Sequence, residues 1–217
     1  MIYNIFVSIL FFCFILVFGC GSANSIQQGR VSSSVSLDYS KLDIENAIKL
    51  ANDKFEEALK IEDKNKRYEC LKDSALNYNI VTEAQPENID AAIKLARVYD
   101  LQNKNRNAKS SFYHALGINP KSIDANYYFG EFYYKREEYR KALYYYKNAL
   151  RYGMKENADN MKKLAVIYEK FGDLKQANLY YKKLFLLNPS DEFTADKIRE
   201  IESIKYQNSD YYRKGTK

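Results

Sequence analysis

His114 is the only histidine in the 217 residues, and imidazole is the side chain that most often relays protons or holds metal near neutral pH. Alone, it has no second histidine with which to build a metal cluster, and no Ser/His/Asp or Cys/His set assembles around it. A solvated surface histidine is therefore expected. The adjacent carboxylates Glu137 and Glu138 fall in a helix-start context and need no catalytic role. No GxGxxG, phosphate-binding loop or HExxH occurs. The sequence thus predicts a protein that is not an enzyme, with no cofactor, no metal and no small-molecule substrate. Basic residues interleaved with aromatics, as in YRKALYYYKNALRYGMKE, could hold a nucleic-acid strand. Tyr146 and Ala149 in that stretch, however, occupy core positions of the pattern described below, and the charges are those of solvated helix faces. No nucleic-acid partner is expected.

The cysteines point elsewhere. Cys13, Cys20 and Cys70 form neither a CxxC pair nor a disulfide framework, and Cys70 reads as a small core residue. Cys20 ends the segment MIYNIFVSILFFCFILVFGC, which carries no charged side chain and has an apolar run of 14 residues from Ile5 to Phe18. A membrane-crossing helix needs about 20 residues, so the run suits a signal-peptide core better. With Gly19 before the cysteine and Gly21-Ser22 after it, the segment resembles a bacterial lipoprotein signal. That resemblance implies cleavage after residue 19, acylation of Cys20, and a body held at a bacterial membrane outside the cytoplasm. Phe18 is bulkier than the pattern prefers, and no Lys or Arg precedes the run. An uncleaved single-pass N-terminal anchor therefore stays open as the alternative. Residues 20–41 contain seven serines and no helical or strand period, which predicts a flexible tether.

Beyond the tether the composition changes. The chain as a whole is 46% hydrophobic and 29% charged, with 8 Gly and 3 Pro, so helix formers dominate and turn signals are few. The net charge of +6 belongs entirely to residues after the first 20. KLARVY at 94–99 returns as KLAVIY at 163–168, with FGEFYY at 129–134 between them. The small residues Ala96, Gly130 and Ala165 are 34 and 35 positions apart. A large residue, a small one and an aromatic recur on each first helix: Leu95-Ala96-Tyr99, Phe129-Gly130-Tyr133, Leu164-Ala165-Tyr168. Ala108-Phe112-Ala115, Ala142-Tyr146-Ala149 and Ala177-Tyr181-Leu184 recur on each second helix. Residues four apart share a helix face, and the small ones let two helices approach closely. Asn88, Ser122 and Asn157 stand where N-caps are needed, followed by Asp90, Asp124 and Asp159 in the first turns. Gly172 suits a left-handed helix end.

This pattern resembles the tetratricopeptide repeat over residues 89–122, 123–156 and 158–191. The resemblance implies an all-α fold: a right-handed superhelical array of antiparallel helix pairs. Residues 42–88 read as a divergent, lengthened first pair, with helices over 43–61 and 66–84. Residues 191–205, with Ser190 as candidate N-cap and Ile198, Ile201 and Ile204 on one side, read as a capping helix before a frayed tail at 206–217.

Members of the family generally bind peptides or proteins on the concave face lined by the first helices. Carried onto this chain, that groove comprises Asn52 and Phe55; Ile93, Arg97 and Asp100; Tyr127, Glu131 and Tyr134; and Lys162, Val166 and Glu169. Tyr127 and Tyr134 are the expected anchors, because aromatics bury much area for little lost rotamer freedom. The function implied is a non-catalytic scaffold at a bacterial cell envelope, with a protein or peptide partner in the groove and the membrane engaged through the N-terminus. The competing expectation is a structural tether whose basic helix faces adhere to anionic lipid or wall polymer.

Overall fold

The computed structural model describes residues 43–214, and side chains as far as Ile204. Cys20, the apolar run and the tether lie outside the described residues. Nine α-helices and no strand occur among the described residues: α1 Ile44–Lys60, α2 Lys64–Ala84, α3 Ile89–Leu101, α4 Asn105–Ile118, α5 Ile123–Tyr134, α6 Tyr139–Arg151, α7 Ala158–Lys170, α8 Leu174–Leu187 and α9 Glu192–Lys214. They pack as consecutive pairs, α1 with α2, α3 with α4, α5 with α6, and α7 with α8. Each pair then stacks on the next through α2 on α3, α4 on α5, α6 on α7 and α8 on α9.

The helix starts follow from their caps. Asn88, Ser122 and Asn157 accept hydrogen bonds from the backbone N–H three residues on, as do Asp43, Asp63 and Asp173 at other starts. Asn160 returns the bond to the backbone of Asn157, closing a capping box. Helices α4 and α6 begin without a side-chain cap. There the chain turns through a left-handed residue, Asn103 (φ 58°) before α4 and Glu137 (φ 58°) before α6, in register with Gly172 (φ 72°) before α8. The same turn recurs in all three repeats, although only one of them supplies glycine for it.

The small residues do what their spacing implies. Ala96, Ala108, Ala142, Ala165 and Ala177 are wholly buried, and the rings of Phe112, Tyr146 and Tyr181 fill the space beside them. The first pair follows the same plan with Ala51 and Ser74 in the small positions and Tyr78 as the aromatic. Ser74 is wholly buried, and its hydroxyl donates to the Ala51 carbonyl across the pair at 2.9 Å, which satisfies the one polar group in that contact. Cys70 is a buried thiol in this core, with its pKa pushed up by burial. His114 is exposed.

Two expectations at the C-terminal end are corrected. Ser190 is not a cap; its hydroxyl donates to Asn188 Oδ1 at 2.8 Å. Asp191 precedes the helix instead, accepting from the Thr194 hydroxyl through its carboxylate and from the Ala195 N–H through its carbonyl. Helix α9 continues through Lys214 instead of ending at 205, since no Gly or Pro interrupts the sequence before Gly215. It lies on α8 through Ile198 and Ile201, against Ala177, Tyr181 and Leu184. Measured from the preceding proline, Ile198 and Arg199 take the places of Leu95 and Ala96. Helix α9 thus holds the register of a first helix. The exposed arginine in its small-residue position suits solvent where the other pairs receive a second helix.

Candidate binding groove

The first helices α1, α3, α5 and α7 present one face, and its side chains contact one another in a repeating way. The residue just after the small one is Asn52, Arg97, Glu131 and Val166 in successive pairs. The residue two before the small one is Lys94, Tyr128 and Lys163 in the pairs that follow. These positions meet across each junction. Lys94 Nζ donates to Asn52 Oδ1 at 2.9 Å, the Arg97 guanidinium lies over the Tyr128 ring at 4.1 Å, and Lys163 Nζ pairs with Glu131 at 2.6 Å. Each lysine is also held by an aspartate one turn earlier, Lys94 by Asp90 at 2.9 Å and Lys163 by Asp159 at 2.7 Å. At the last junction Val166 cannot accept, and Lys197 of α9 reaches Glu169 one turn further on at 2.7 Å.

The second helices reach the same positions from behind. The hydroxyls of Tyr78, Tyr146 and Tyr181 donate to Asn52, Glu131 and Glu169 at 2.7, 2.5 and 2.7 Å. A phenol at the back of this face therefore needs an acceptor in front of it. The second pair, α3 with α4, breaks the rule on both sides at once: Arg97, which only donates, stands in front, and Phe112, which has no hydroxyl, stands behind.

A cavity of about 240 Å³ opens at that exception, between α1, α3 and α5. Phe55, Leu59, Leu101, Phe112 and the rings of Tyr127 and Tyr128 supply its apolar walls, and Arg97, Asp100, Glu131 and Lys135 its charges. Leu59 and Leu101 are 47% and 39% exposed, a high value for large apolar side chains on a helix face. Asp100 is held by Lys135 at 2.9 Å and Arg136 at 2.7 Å. The Tyr127 hydroxyl donates to Asp159 at 3.1 Å, and burial pushes its pKa up to about 12. Burial pushes the Lys163 ammonium down, but its bonds to Asp159 and Glu131 outweigh this and leave it firmly charged. Among the described residues no group of three or more His, Cys, Asp or Glu side chains is placed to hold a metal.

Of the groove residues expected from the sequence, Phe55, Arg97, Asp100, Tyr127 and Glu131 converge on this cavity. Asn52 joins the contacts beside it. Ile93 does not belong to the groove: it is 5% exposed and packs into a core with Ala92, Ala115 and Ala125, whose small side chains admit it. Phe55, at 2% exposure, is a wall and not a free anchor. Tyr134 is half-buried against Tyr139 and Tyr146, and Glu169 is occupied by Tyr181 and Lys197. Lys162 lies over the Phe193 ring at 4.9 Å, and Val166 is half-buried; neither lines the cavity. Leu59, Leu101, Phe112, Tyr128 and Lys135 complete the site without having been expected in it. Tyr128 was recoverable from its register with Lys94 and Lys163.

No family model and no curated protein matches the chain. Solved structures do match. The MamA protein superposes with a TM-score of 0.60 at 18% identity, over 79% of this chain and 88% of that one. YrrB, described as a TPR protein with an unusual peptide-binding site, gives 0.54 at 24% identity, over 60% and 67%. PilW, described as a type IV pilus biogenesis factor, gives 0.53 at 22% identity, over 76% of each chain. At these identities the likeness is one of fold, and the fold is the all-α tetratricopeptide solenoid.

Proposed function

We propose that this protein is a non-catalytic scaffold that takes a segment of another protein onto the face formed by its first helices, centred on the cavity between α1, α3 and α5. The observation that carries this reading is the exception in the second pair. Elsewhere on that face the polar side chains are consumed by contacts between neighbouring pairs; here they give way to an open, apolar-walled cavity with a rim of exposed leucines. The peptide-binding site named for YrrB supports the reading by analogy of fold. The N-terminal sequence supports attachment to a bacterial membrane through an acylated Cys20, with the repeats outside the cytoplasm. The pilus biogenesis factor among the structural neighbours is in keeping with an envelope role.

Two measurements test this. Peptides selected from a displayed library against the full chain are expected to lose binding when Leu101→Ser and Tyr127→Ala are combined, with the helical circular dichroism retained. Retained binding moves the partner surface elsewhere. Binding that ignores these changes but collapses between low and physiological salt identifies the anionic-polymer tether instead. For the anchor, the intact mass of the protein extracted from native membranes is expected to show loss of residues 1–19 and added acyl mass. A full-length unmodified mass overturns it.

A further inference from the structure

On the reading of the groove just given, the structure also assigns the chemistry of the occupant. We infer that the cavity recognises an acidic side chain, Asp or Glu within a chain segment, next to a large apolar residue. Four cations gather at this part of the face: Arg97, Lys135, Arg136 and Lys163. Three carboxylates answer them, since Asp100 bridges Lys135 and Arg136, while Glu131 and Asp159 share Lys163. Arg97 is the cation left over. It is half-buried between two rings, 4.9 Å from Phe55 and 4.1 Å from Tyr128, and among the described residues it forms no ion pair and donates no hydrogen bond. Ring faces attract a guanidinium but leave the N–H groups at its edge unsatisfied, and those groups match a carboxylate bidentately.

The setting makes the charge selective. Walls of Phe55, Leu59, Leu101 and Phe112 limit the water that an occupant leaves around the guanidinium and offer an apolar neighbour its own contact. Asp100 and Glu131, already paired, stand on the cavity wall and repel an acid placed anywhere except against Arg97. A chain end is disfavoured as the occupant. Capturing a terminal carboxylate takes several donors, and Lys135, Arg136 and Lys163 on this part of the face are already held by Asp100, Glu131 and Asp159. One guanidinium fork suits one side-chain carboxylate.

The test uses the full chain and C-terminally amidated peptides from a displayed random library. Enriched peptides are expected to carry Asp or Glu within three residues of Leu, Ile or Phe. Changing that acid to its amide is expected to weaken binding at least about tenfold on the native chain and less than about twofold on Arg97→Gln, the range seen when one partner of a desolvated charge pair is removed. Arg97→Lys, which keeps the charge and loses the planar fork, is expected to fall between them. The acid-to-amide comparison on the native chain needs no protein variant, so it stands even if a substitution at Arg97 unfolds the repeat. Enrichment of neutral or basic peptides overturns the inference, as does an equal acid-to-amide effect on the native and Arg97→Gln chains. Binding recovered only with free-carboxylate peptides also overturns it, by making the chain end the ligand. If the enriched peptides are indifferent to the combined Leu101→Ser and Tyr127→Ala changes, the groove reading itself fails. If they respond to those changes but not to Arg97→Gln, the groove stands and the acidic specificity falls.

Discussion

Gly130 is where the repeat's close approach is tightest, and replacing it sets two magnitudes against each other. Alanine in a helix interior is favoured over glycine by about 1 kcal/mol, so on propensity alone Gly130→Ala stabilises α5. A Cβ at that position, however, stands 2.7 Å from Cδ1 and 2.8 Å from Cε1 of Tyr146. The ring cannot swing aside: it is 1% exposed, packed against Tyr127 and Tyr134, and tied by its hydroxyl to Glu131 at 2.5 Å. Overpacking of this kind costs about 1 to 3 kcal/mol, and a clash with two carbons of an immobile ring takes the upper part of that range, about 2 to 3 kcal/mol against the roughly 1 kcal/mol that propensity returns. We expect a net loss of about 1 to 2 kcal/mol, which lowers Tm by about 2 to 8 °C for a domain of this size. The diagnostic is a sign change. In a Tyr146→Leu background the methyl group finds room, and Gly130→Ala becomes neutral or stabilising, giving a coupling of about 1 to 3 kcal/mol in a double-mutant cycle. Urea denaturation followed by circular dichroism on the four proteins supplies the numbers. Stabilisation by Gly130→Ala in the otherwise native chain would refute the reasoning, by showing that the Tyr146 ring gives way to the methyl group.

Other consequences are open to the same assays. Glu137→Gly is expected to stabilise by about 0.5 to 1 kcal/mol, because glycine removes a left-handed penalty of about 1 to 2 kcal/mol at φ 58° and returns part of it as unfolded-state entropy; a lower urea midpoint counts against it. Phe112→Tyr is expected to destabilise by about 1 to 3 kcal/mol, since the new hydroxyl meets Arg97, which cannot accept, and the loss should shrink when Arg97→Glu is added. Burial pushes the Glu169 carboxyl up, but bonds from Lys197 and Tyr181 outweigh it and hold its pKa below the ordinary 4.5. A depressed carboxylate contributes stability that is complete above its unfolded value and is lost as pH falls through its folded one. The native chain should therefore lose stability below about pH 4.5 more steeply than Glu169→Gln, as read by urea midpoints at stepped pH. Asn157→Ala removes the bond its side chain accepts from the Asn160 N–H, one of the two in the capping box, and is expected to cost about 1 kcal/mol; an unchanged midpoint would show α7 to be set by packing alone.

The array was legible in the sequence because it rests on residues that stand out locally. A position that must be small stays small at each turn of the period, and a cap is a polar residue just ahead of an apolar one. Both leave marks that need no knowledge of the fold. The left-handed turns were legible only where glycine fills them; Asn103 and Glu137 adopt the same conformation without the residue that announces it. Ile93 was misplaced for a different reason. It shares its register with Tyr127 and Lys162, but Ala92, Ala115 and Ala125 around it leave a space that an aliphatic side chain fills, so the neighbours decide which way that position faces. The contacts of Asn52 with Lys94, and of Arg97 with Tyr128, join positions 42 and 31 residues apart and exist only once the pairs are stacked.

That distinction explains why the proposed site lies where the repeat contradicts itself. In a stack of similar units each polar side chain on the shared face is offered the same partner from the next unit, so regularity consumes binding capacity: Lys163 is spent on Glu131, and Lys197 on Glu169. Capacity survives only where the unit departs from its own pattern and the departure is compensated from behind. Arg97 without Phe112 would leave a buried phenol facing a donor, and Phe112 without Arg97 would leave an acceptor short of its hydroxyl. Together they keep the second pair stable while freeing one guanidinium, between two rings and above an apolar cavity, for something the described residues do not supply.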